Sequence, residues 1–135
     1  MYLLDTNVIS ELRRNKPHGA VLAWFEQVND RDLYISAVTI GEIQTGIEIT
    51  RKQDEAKATE LEEWLDQVAG HYKILPMDEV IFRLWAKWMS RKSDTLYEDG
   101  MIAATAKVHN LTVVTRNVGD FEEFDVGVFD PFSFN

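Results

Sequence analysis

Short apolar segments alternate with helix-patterned segments along the whole chain, and this alternation constrains the fold more than any other feature. The first short segment is Tyr2–Asp5, and each later one follows a stretch of helical periodicity. The later segments are Leu33–Ile35, Lys73–Leu75, Leu111–Thr115 and Val126–Phe129. Parallel strands require crossover connections, which helices supply. The sequence therefore predicts an α/β fold in which helices cover both faces of a parallel sheet.

The intervening segments carry apolar side chains that recur every three or four residues, as in amphipathic helices. Ser36 is a predicted N-cap for a helix that runs through Thr50, with isoleucines at core spacing. A length of 135 residues and a hydrophobic fraction of 45% suit one domain, residues 1–135. Other predicted helices cover Asp54–Ala69, Ile81–Trp88 and Leu96–His109.

The residue types that the chain lacks limit the chemistry it can carry. It has no cysteine, which excludes disulfides, thiol nucleophiles and thiolate metal sites, and its three histidines are scattered. A bound metal must therefore be held by oxygen. Because the N-terminus has no signal-like segment and no apolar run is long enough to span a membrane, we expect a cytoplasmic protein without membrane contact.

The net charge of −9 is unusual for a protein that binds nucleic acid, because phosphates are normally met by lysine and arginine. Either the acidic excess is a solvated surface, or part of it is concentrated where cations neutralise it and face a phosphate. Arg13, Arg14 and Lys16 follow the first acid of the chain, and Arg116 lies in a late loop. These basic residues are candidates for holding a phosphate backbone, and ordinary surface charge explains them equally well.

Two acids follow predicted strands directly. Asp5 closes the first strand, and Asp120 lies in the turn-rich loop after Leu111–Thr115. Ligands of parallel α/β sheets bind at the carboxyl ends of the strands, so both acids are candidates for chemistry. The alternative is a capping role: Asp5 for the next helix, and Asp120 for a short helix that begins at Glu122.

Two further acids lie on predicted helices that are apolar on both sides. Glu42 shares a face with Val38 and Ile49, and Asp99 is in line with small alanines near a helix start. A buried carboxylate is costly unless it is paired, protonated or bound to metal. A salt bridge to an arginine is the alternative for Glu42, and a simple first-turn acid is the alternative for Asp99.

If Asp5, Glu42, Asp99 and Asp120 converge, their mutual repulsion requires raised pKa values or a bound divalent cation. Carboxylates about 6 Å apart repel by roughly 3 kcal/mol per pair at an effective dielectric near 20. An all-oxygen site suits Mg²⁺ or Mn²⁺. Thr115 and Asn117 lie in the loop before Asp120, where their polar groups are expected to orient a carboxylate or a water.

The residues around these acids resemble the PIN-domain family, in particular the toxin subunits of type II toxin–antitoxin pairs of the VapC and FitB kind. The resemblance covers nearly the whole chain. Its most specific motifs are Leu-Leu-Asp-Thr-Asn-Val-Ile-Ser-Glu-Leu at 3–12, Ser-Ala-Val-Thr-Ile-Gly-Glu-Ile at 36–43, Asp-Gly-Met-Ile-Ala-Ala-Thr-Ala at 99–106 and Thr-Arg-Asn-Val-Gly-Asp-Phe at 115–121. It implies a five-stranded parallel sheet.

The resemblance also implies an activity: a metal-dependent endoribonuclease that hydrolyses RNA phosphodiester bonds. Asp5 and Asp99 would be the principal ligands of Mg²⁺ or Mn²⁺, with Glu42 and Asp120 completing the acidic pocket. The chain departs from the family pattern at Gly100, where alanine or serine is usual, and at Asp130, where asparagine is usual. Glycine costs a helix up to about 1 kcal/mol relative to alanine.

The partners are likewise implied by resemblance. They are an RNA substrate, a second copy of the chain in a homodimer, and a cognate antitoxin that inserts a basic or aromatic segment into the acidic pocket. DNA contact would be indirect, through the antitoxin.

Two non-enzymatic alternatives remain. One is a Mg²⁺-dependent receiver-like domain with Asp78 as phosphoacceptor, and the other is a PIN-like module that binds its partner without cutting.

Overall fold

Five parallel strands form the sheet of the computed structural model, which describes all 135 residues. The strands are β1 (Tyr2–Leu4), β2 (Leu33–Ser36), β3 (Lys73–Leu75), β4 (Thr112–Val114) and β5 (Val128–Phe129). They lie in the order β3-β2-β1-β4-β5, and every adjacent pair is parallel. The α/β fold with a five-stranded parallel sheet is therefore confirmed.

Seven helices connect and cover the strands. The first five of them begin where a preceding side chain caps the first turn. One example is the predicted N-cap Ser36, whose Oγ accepts the N–H of Val38 at 3.1 Å. No helix is both long enough and apolar enough to cross a membrane. The helices are α1 (Thr6–Leu12), α2 (Gly19–Gln27), α3 (Ala37–Arg51), α4 (Glu55–His71), α5 (Glu79–Met89), α6 (Tyr97–His109) and α7 (Val118–Phe121).

Each face of the sheet has its own hydrophobic core. Successive residues of a strand point to opposite faces, and the fully buried neighbours in β1 and β4 are divided accordingly. Leu3 and Val113 pack with residues of α5, α6 and α7, whereas Leu4 and Val114 pack with residues of α1, α2 and α4. The helices therefore enclose the sheet on both sides, as the sequence predicted.

The helix α3 is less buried than its sequence pattern predicts. Its only fully covered residues are Thr39 and Ile47, and Ile49 is 60% exposed. The prediction that this helix is buried on both sides is wrong, because α4 packs along one side and leaves the face of Ile49 open. The partial burial of Glu42 consequently has another origin, described below.

Gly100 fits a close contact between α5 and α6. A Cβ at this position would lie 2.8 Å from the sulfur of Met89 and 3.1 Å from Cδ1 of Trp85. Both distances are shorter than ordinary contacts, and the indole is rigid. The close packing therefore offsets the helix-propensity cost that the sequence assigns to this glycine.

Candidate active site

The strand order brings the carboxyl ends of β1 and β4 together at the centre of the sheet. Leu4 of β1 lies opposite Val114 of β4, and β2 pairs with the other side of β1. The strand order reverses here, because β2 and β3 extend to one side of β1 while β4 and β5 extend to the other. Asp5 and Thr115 directly follow the paired residues. Both lie where parallel α/β sheets bind ligands.

Asp5 is buried and held by three donors. Its Oδ1 accepts the N–H of Thr6 at 2.8 Å, and its Oδ2 accepts the Thr115 hydroxyl at 2.8 Å and the Asn7 amide at 3.3 Å. Burial raises the pKa of Asp5, these hydrogen bonds oppose the rise, and the charge of Asp120 adds to it. Asp5 is also the N-cap of α1. Capping alone does not explain the bond from Thr115, which joins two separate strand ends.

Thr115 organises the loop after β4. Its side chain is fully buried, and its hydroxyl, which donates to Asp5, accepts the side-chain amide of Asn7 at 3.3 Å and the N–H of Asn117 at 3.1 Å. The side chain of Asn117 is exposed and makes no capping hydrogen bond. Thr115 therefore contacts Asp5 through its side chain, whereas Asn117 joins the network through its backbone.

Asp120 lies inside α7 and is exposed. The alternative in which it caps a helix beginning at Glu122 is wrong, because α7 begins at Val118 and its N-cap is Asn117. The charge of Asp120 raises the pKa of both Asp5 and Asp99. This acid therefore lies at the rim of the cluster, within electrostatic reach of two others.

Glu42 reaches the cluster from α3 without a cationic partner. Its Oε1 accepts the Thr6 hydroxyl at 3.2 Å, and none of the salt bridges of the chain includes it. The salt-bridge alternative is therefore wrong. Burial, then Glu98, then the charge of Asp5 raise the pKa of Glu42 to about 7, and the bond from Thr6 opposes the rise. Its partial burial comes from neighbours on α1 and α6.

Asp99 lies in the first turn of α6 and is half-buried. Burial, followed by the charges of Asp5, Asp120 and Glu98, raises its pKa to about 6. A carboxylate with no role beyond the first helical turn would be stabilised in its charged form. The rise shows that burial and the neighbouring acids outweigh the helix terminus at this position.

Glu98 is a further acid of this region that no sequence pattern singled out. This exposed side chain on α6 approaches Glu42 closely enough to share a hydrogen bond when one of the two carboxyl groups is protonated. Its position beside Asp99 at a helix start is typical of ordinary first-turn acids. Only the packing of α6 against α3 brings it to Glu42, and no local signal in the sequence reports that contact.

We call Asp5, Glu42, Asp99 and Asp120 the acid pocket and ask whether its residues fit a divalent cation. The structure has no group of three or more acidic, histidine or cysteine side chains that could hold a metal ion in their present positions. The pKa values of Asp5, Glu42 and Asp99 are nevertheless raised partly by the charges of other acids. Hard oxygen donors with unneutralised negative charge fit a divalent cation, and coordination would require the side chains to rotate inward.

The receiver-like alternative does not fit the sheet. In a receiver the third strand is central, in the order 2-1-3-4-5, whereas β3 here is an edge strand. Asp78, the candidate phosphoacceptor, instead caps α5 by accepting the N–H of Ile81 at 3.0 Å. Its carboxylate is therefore used as a helix cap, away from the central strand ends.

The sequence matches known proteins over almost its full length. The family model of the PIN domain matches residues 2–127. Toxin FitB of Neisseria gonorrhoeae is 40% identical over 141 residues, which covers 98% of this chain and 99% of that protein. VapC ribonuclease Y4jK of Sinorhizobium fredii is 36% identical over 139 residues, which covers 98% of each.

Solved structures agree with this similarity. The crystal structure of FitAcB from Neisseria gonorrhoeae superposes with a TM-score of 0.88 at 38% identity, covering 99% of this chain and 100% of that chain. The structure of FitAB bound to an IR36 DNA fragment gives a TM-score of 0.82 at 37% identity, with coverages of 100% and 98%. The chain therefore shares its fold and more than a third of its aligned residues with these two structures.

Proposed function

Because the chain belongs to the PIN-domain family, we propose that it is the ribonuclease toxin of a toxin–antitoxin pair, with the acid pocket as its catalytic centre. The observation that carries the proposal is that Glu42 and Asp99 each lie within electrostatic reach of Asp5 at the strand switch point, and that none of the three has a basic partner. Relatives named VapC ribonuclease and Toxin FitB support the activity and the toxin role. The non-enzymatic alternatives have no comparable support.

In this proposal Asp5 and Asp99 hold a divalent cation, either Mg²⁺ or Mn²⁺. Asp5 is suited to this because Thr6, Asn7 and Thr115 fix its carboxylate. Asp99 lies on α6 within electrostatic reach of Asp5, and no hydrogen bond to its carboxylate would have to break. When bound, such a cation neutralises the phosphodiester and supplies Lewis acidity to the cleavage.

Glu42 and Asp120 have different proposed tasks. A general base works best when its pKa lies near the working pH, and the pKa of Glu42 is about 7. Glu42 is therefore proposed to take the proton of the attacking water, while its Oε1 remains fixed by the Thr6 hydroxyl. Asp120 at the exposed rim is proposed to orient water or to join the cation ligands.

The proposed partners follow from the solved relatives. Those structures include FitAB bound to DNA and a DNA-bound VapBC from Salmonella typhimurium. We expect a cognate antitoxin with a basic segment that complements the net charge of −9, and DNA contact only through that antitoxin. We also propose that the protein forms a homodimer, acts in the cytoplasm and has RNA as its substrate.

The decisive experiment replaces the proposed cation ligands without changing their size. Asp5→Asn and Asp99→Asn are compared with wild type and with Asp66→Asn, whose aspartate is exposed on α4 away from the acid pocket. RNA cleavage is measured with Mg²⁺, with Mn²⁺ and with chelator, and growth arrest is scored in cells. We expect both ligand variants to lose about a thousandfold in rate, about 4 kcal/mol, and Asp66→Asn to lose nothing. Full activity in both ligand variants would overturn the assignment.

A further inference from the structure

A cleft extends from the acid pocket along α1, between α3 and α4. It has a volume of about 310 Å³, and Thr6 and Glu42 line one end of it. The C-cap of α1, Arg13, and the indole of Trp64 line the other. Because α1 has seven residues, these two ends are about 10 Å apart. The cleft therefore continues the proposed catalytic site toward a second, chemically different end.

Arg13 is the only basic residue that lines this cleft. Its guanidinium lies 5.7 Å from the centre of the Trp64 ring, and it takes part in no salt bridge. The neighbouring Arg14 differs, because it is bonded to Glu11 at 3.3 Å. The donors of Arg13 are therefore available to a ligand, while the indole holds the charge over the cleft.

The Arg13 end of the cleft is suited to binding a phosphate. A guanidinium presents a planar set of donors that fits phosphate oxygens in a bidentate manner. An RNA strand carries a phosphate at every nucleotide, so a strand whose cleaved bond lies at the acid pocket presents a flanking phosphate near Arg13. The acidic chain would otherwise repel that strand.

On the basis of the function proposed above, we propose that Arg13, oriented by Trp64, binds a backbone phosphate of single-stranded RNA next to the cleaved bond. Arg13 is then a positioning residue for cleavage, and the cleft along α1 is the path of the substrate. Three other basic residues were candidates for this task in the sequence, and none of them lines the cleft: Arg14, Lys16 and Arg116. Arg14 is in addition bonded to Glu11.

The test removes one charge from the protein and one from the RNA. The probe is a single-stranded oligoribonucleotide that wild type cleaves at one position, prepared as a series with one neutral methylphosphonate at each flanking phosphate. Arg13→Gln, Arg13→Lys and wild type are assayed for kcat/KM on the whole series. Arg31→Gln is the matched control, because Arg31 is exposed in the turn before β2 and does not line the cleft.

We expect Arg13→Gln to lower kcat/KM by about tenfold, mainly through KM, and Arg13→Lys to recover part of the loss. At one position, the methylphosphonate should lower kcat/KM about tenfold for wild type and for the Arg31→Gln control, but should not change it for Arg13→Gln. Such coupling between the two changes is expected of a direct contact. Equal costs in all variants at every position would overturn the inference. The inference would also be overturned if Arg13→Gln bound the antitoxin more weakly while its response to the methylphosphonates stayed the same as that of wild type. That result would mean that the cleft binds the antitoxin. If wild type cleaves no RNA, the proposed function itself fails.

Discussion

The helix α3 takes part in two groups of acids whose electrostatic surroundings are opposite. Near its C-terminus, Arg51 bonds to Glu48 and Glu55 at 3.0 Å and to Glu62 at 2.8 Å, a group that we call the arginine cluster. Hydrogen bonding to Arg51 lowers the pKa of Glu48. Earlier on the same helix, Glu42 belongs to the acid pocket, has no basic partner and has a pKa raised to about 7.

The difference separates acids that join structural elements from acids that are available for chemistry. The arginine cluster ties the end of α3 to α4, and its charges are neutralised within the chain. The acids of the acid pocket come from the end of β1 and from three helices, and no basic side chain of the chain neutralises their charges. Such repulsion lowers the stability of a fold unless a cation from solution relieves it, and perturbed carboxyl groups of this kind concentrate at functional sites.

An arginine placed beside Glu42 would give the acid pocket the surroundings of the arginine cluster. Gly46 lies one turn after Glu42 on α3 and lines the cleft, and a Cβ at this glycine would meet nothing within 4 Å. Gly46→Arg would pair with Glu42 at the favourable i,i+4 spacing and lower its pKa. We expect RNA cleavage to fall about a hundredfold while the free energy of unfolding rises by about 1 kcal/mol, since glycine is a poor helix former.

Gly46→Gln separates charge from bulk in this experiment. Glutamine is nearly as good a helix former as arginine and is also a long side chain, but it carries no charge. Both variants should gain stability, and only Gly46→Arg should lose most of its activity relative to Gly46→Gln. Equal losses in the two variants would mean that filling the cleft, rather than neutralising Glu42, stops the reaction.

The fold was predictable from sequence because its determining signals are local. The alternation of apolar runs and amphipathic helices predicted the parallel sheet, and Ser36 was correctly identified as an N-cap. The burial of α3 was wrongly predicted because periodicity does not report which face a neighbour covers, and Ile49 is exposed. The contact of Gly100 with Trp85 was likewise invisible, because it depends on how closely α5 and α6 pack.

The acid pocket was only partly predictable. Asp5 could be located because a strand end fixes its position, and Thr115, at the end of the neighbouring strand, donates a hydrogen bond to it. Asp120 was open to a wrong capping interpretation because turn-rich loops do not reveal where a short helix begins. Glu98 was missed because its approach to Glu42 is a tertiary contact between α6 and α3. The catalytic roles themselves stay predictions.

The unneutralised charge of the acid pocket also predicts an unusual dependence of stability on pH. A carboxyl group whose pKa is raised in the folded state binds more protons there than in the unfolded chain, so the free energy of unfolding falls as pH rises. For Glu42 this window extends from its ordinary value of 4.5 to about 7. In metal-free buffer, we expect the urea midpoint of wild type to be lower at pH 7.5 than at pH 5.

A divalent cation should reverse that loss at pH 7.5. Mg²⁺ or Mn²⁺ at ten times its Kd would add about 1.4 kcal/mol to the free energy of unfolding, and Asp99→Asn should abolish the gain. Glu42→Gln is the control for pH, since it removes the carboxyl group whose pKa is raised to about 7 and should weaken the dependence of stability on pH. Equal changes in the urea midpoints of wild type and Glu42→Gln between pH 5 and pH 7.5 would contradict the raised pKa of Glu42.

The smallest expected effect comes from the arginine cluster. Arg51→Gln removes its cation and leaves the carboxylates of Glu48, Glu55 and Glu62 without their partner. Partly exposed ion pairs contribute little individually, so we expect the melting temperature to fall by only a few degrees. Cleavage of RNA should be unchanged at a temperature where the variant is folded. A large loss of activity would show that the two acid groups on α3 are coupled, and that neutralisation by arginine does not mark a purely structural cluster.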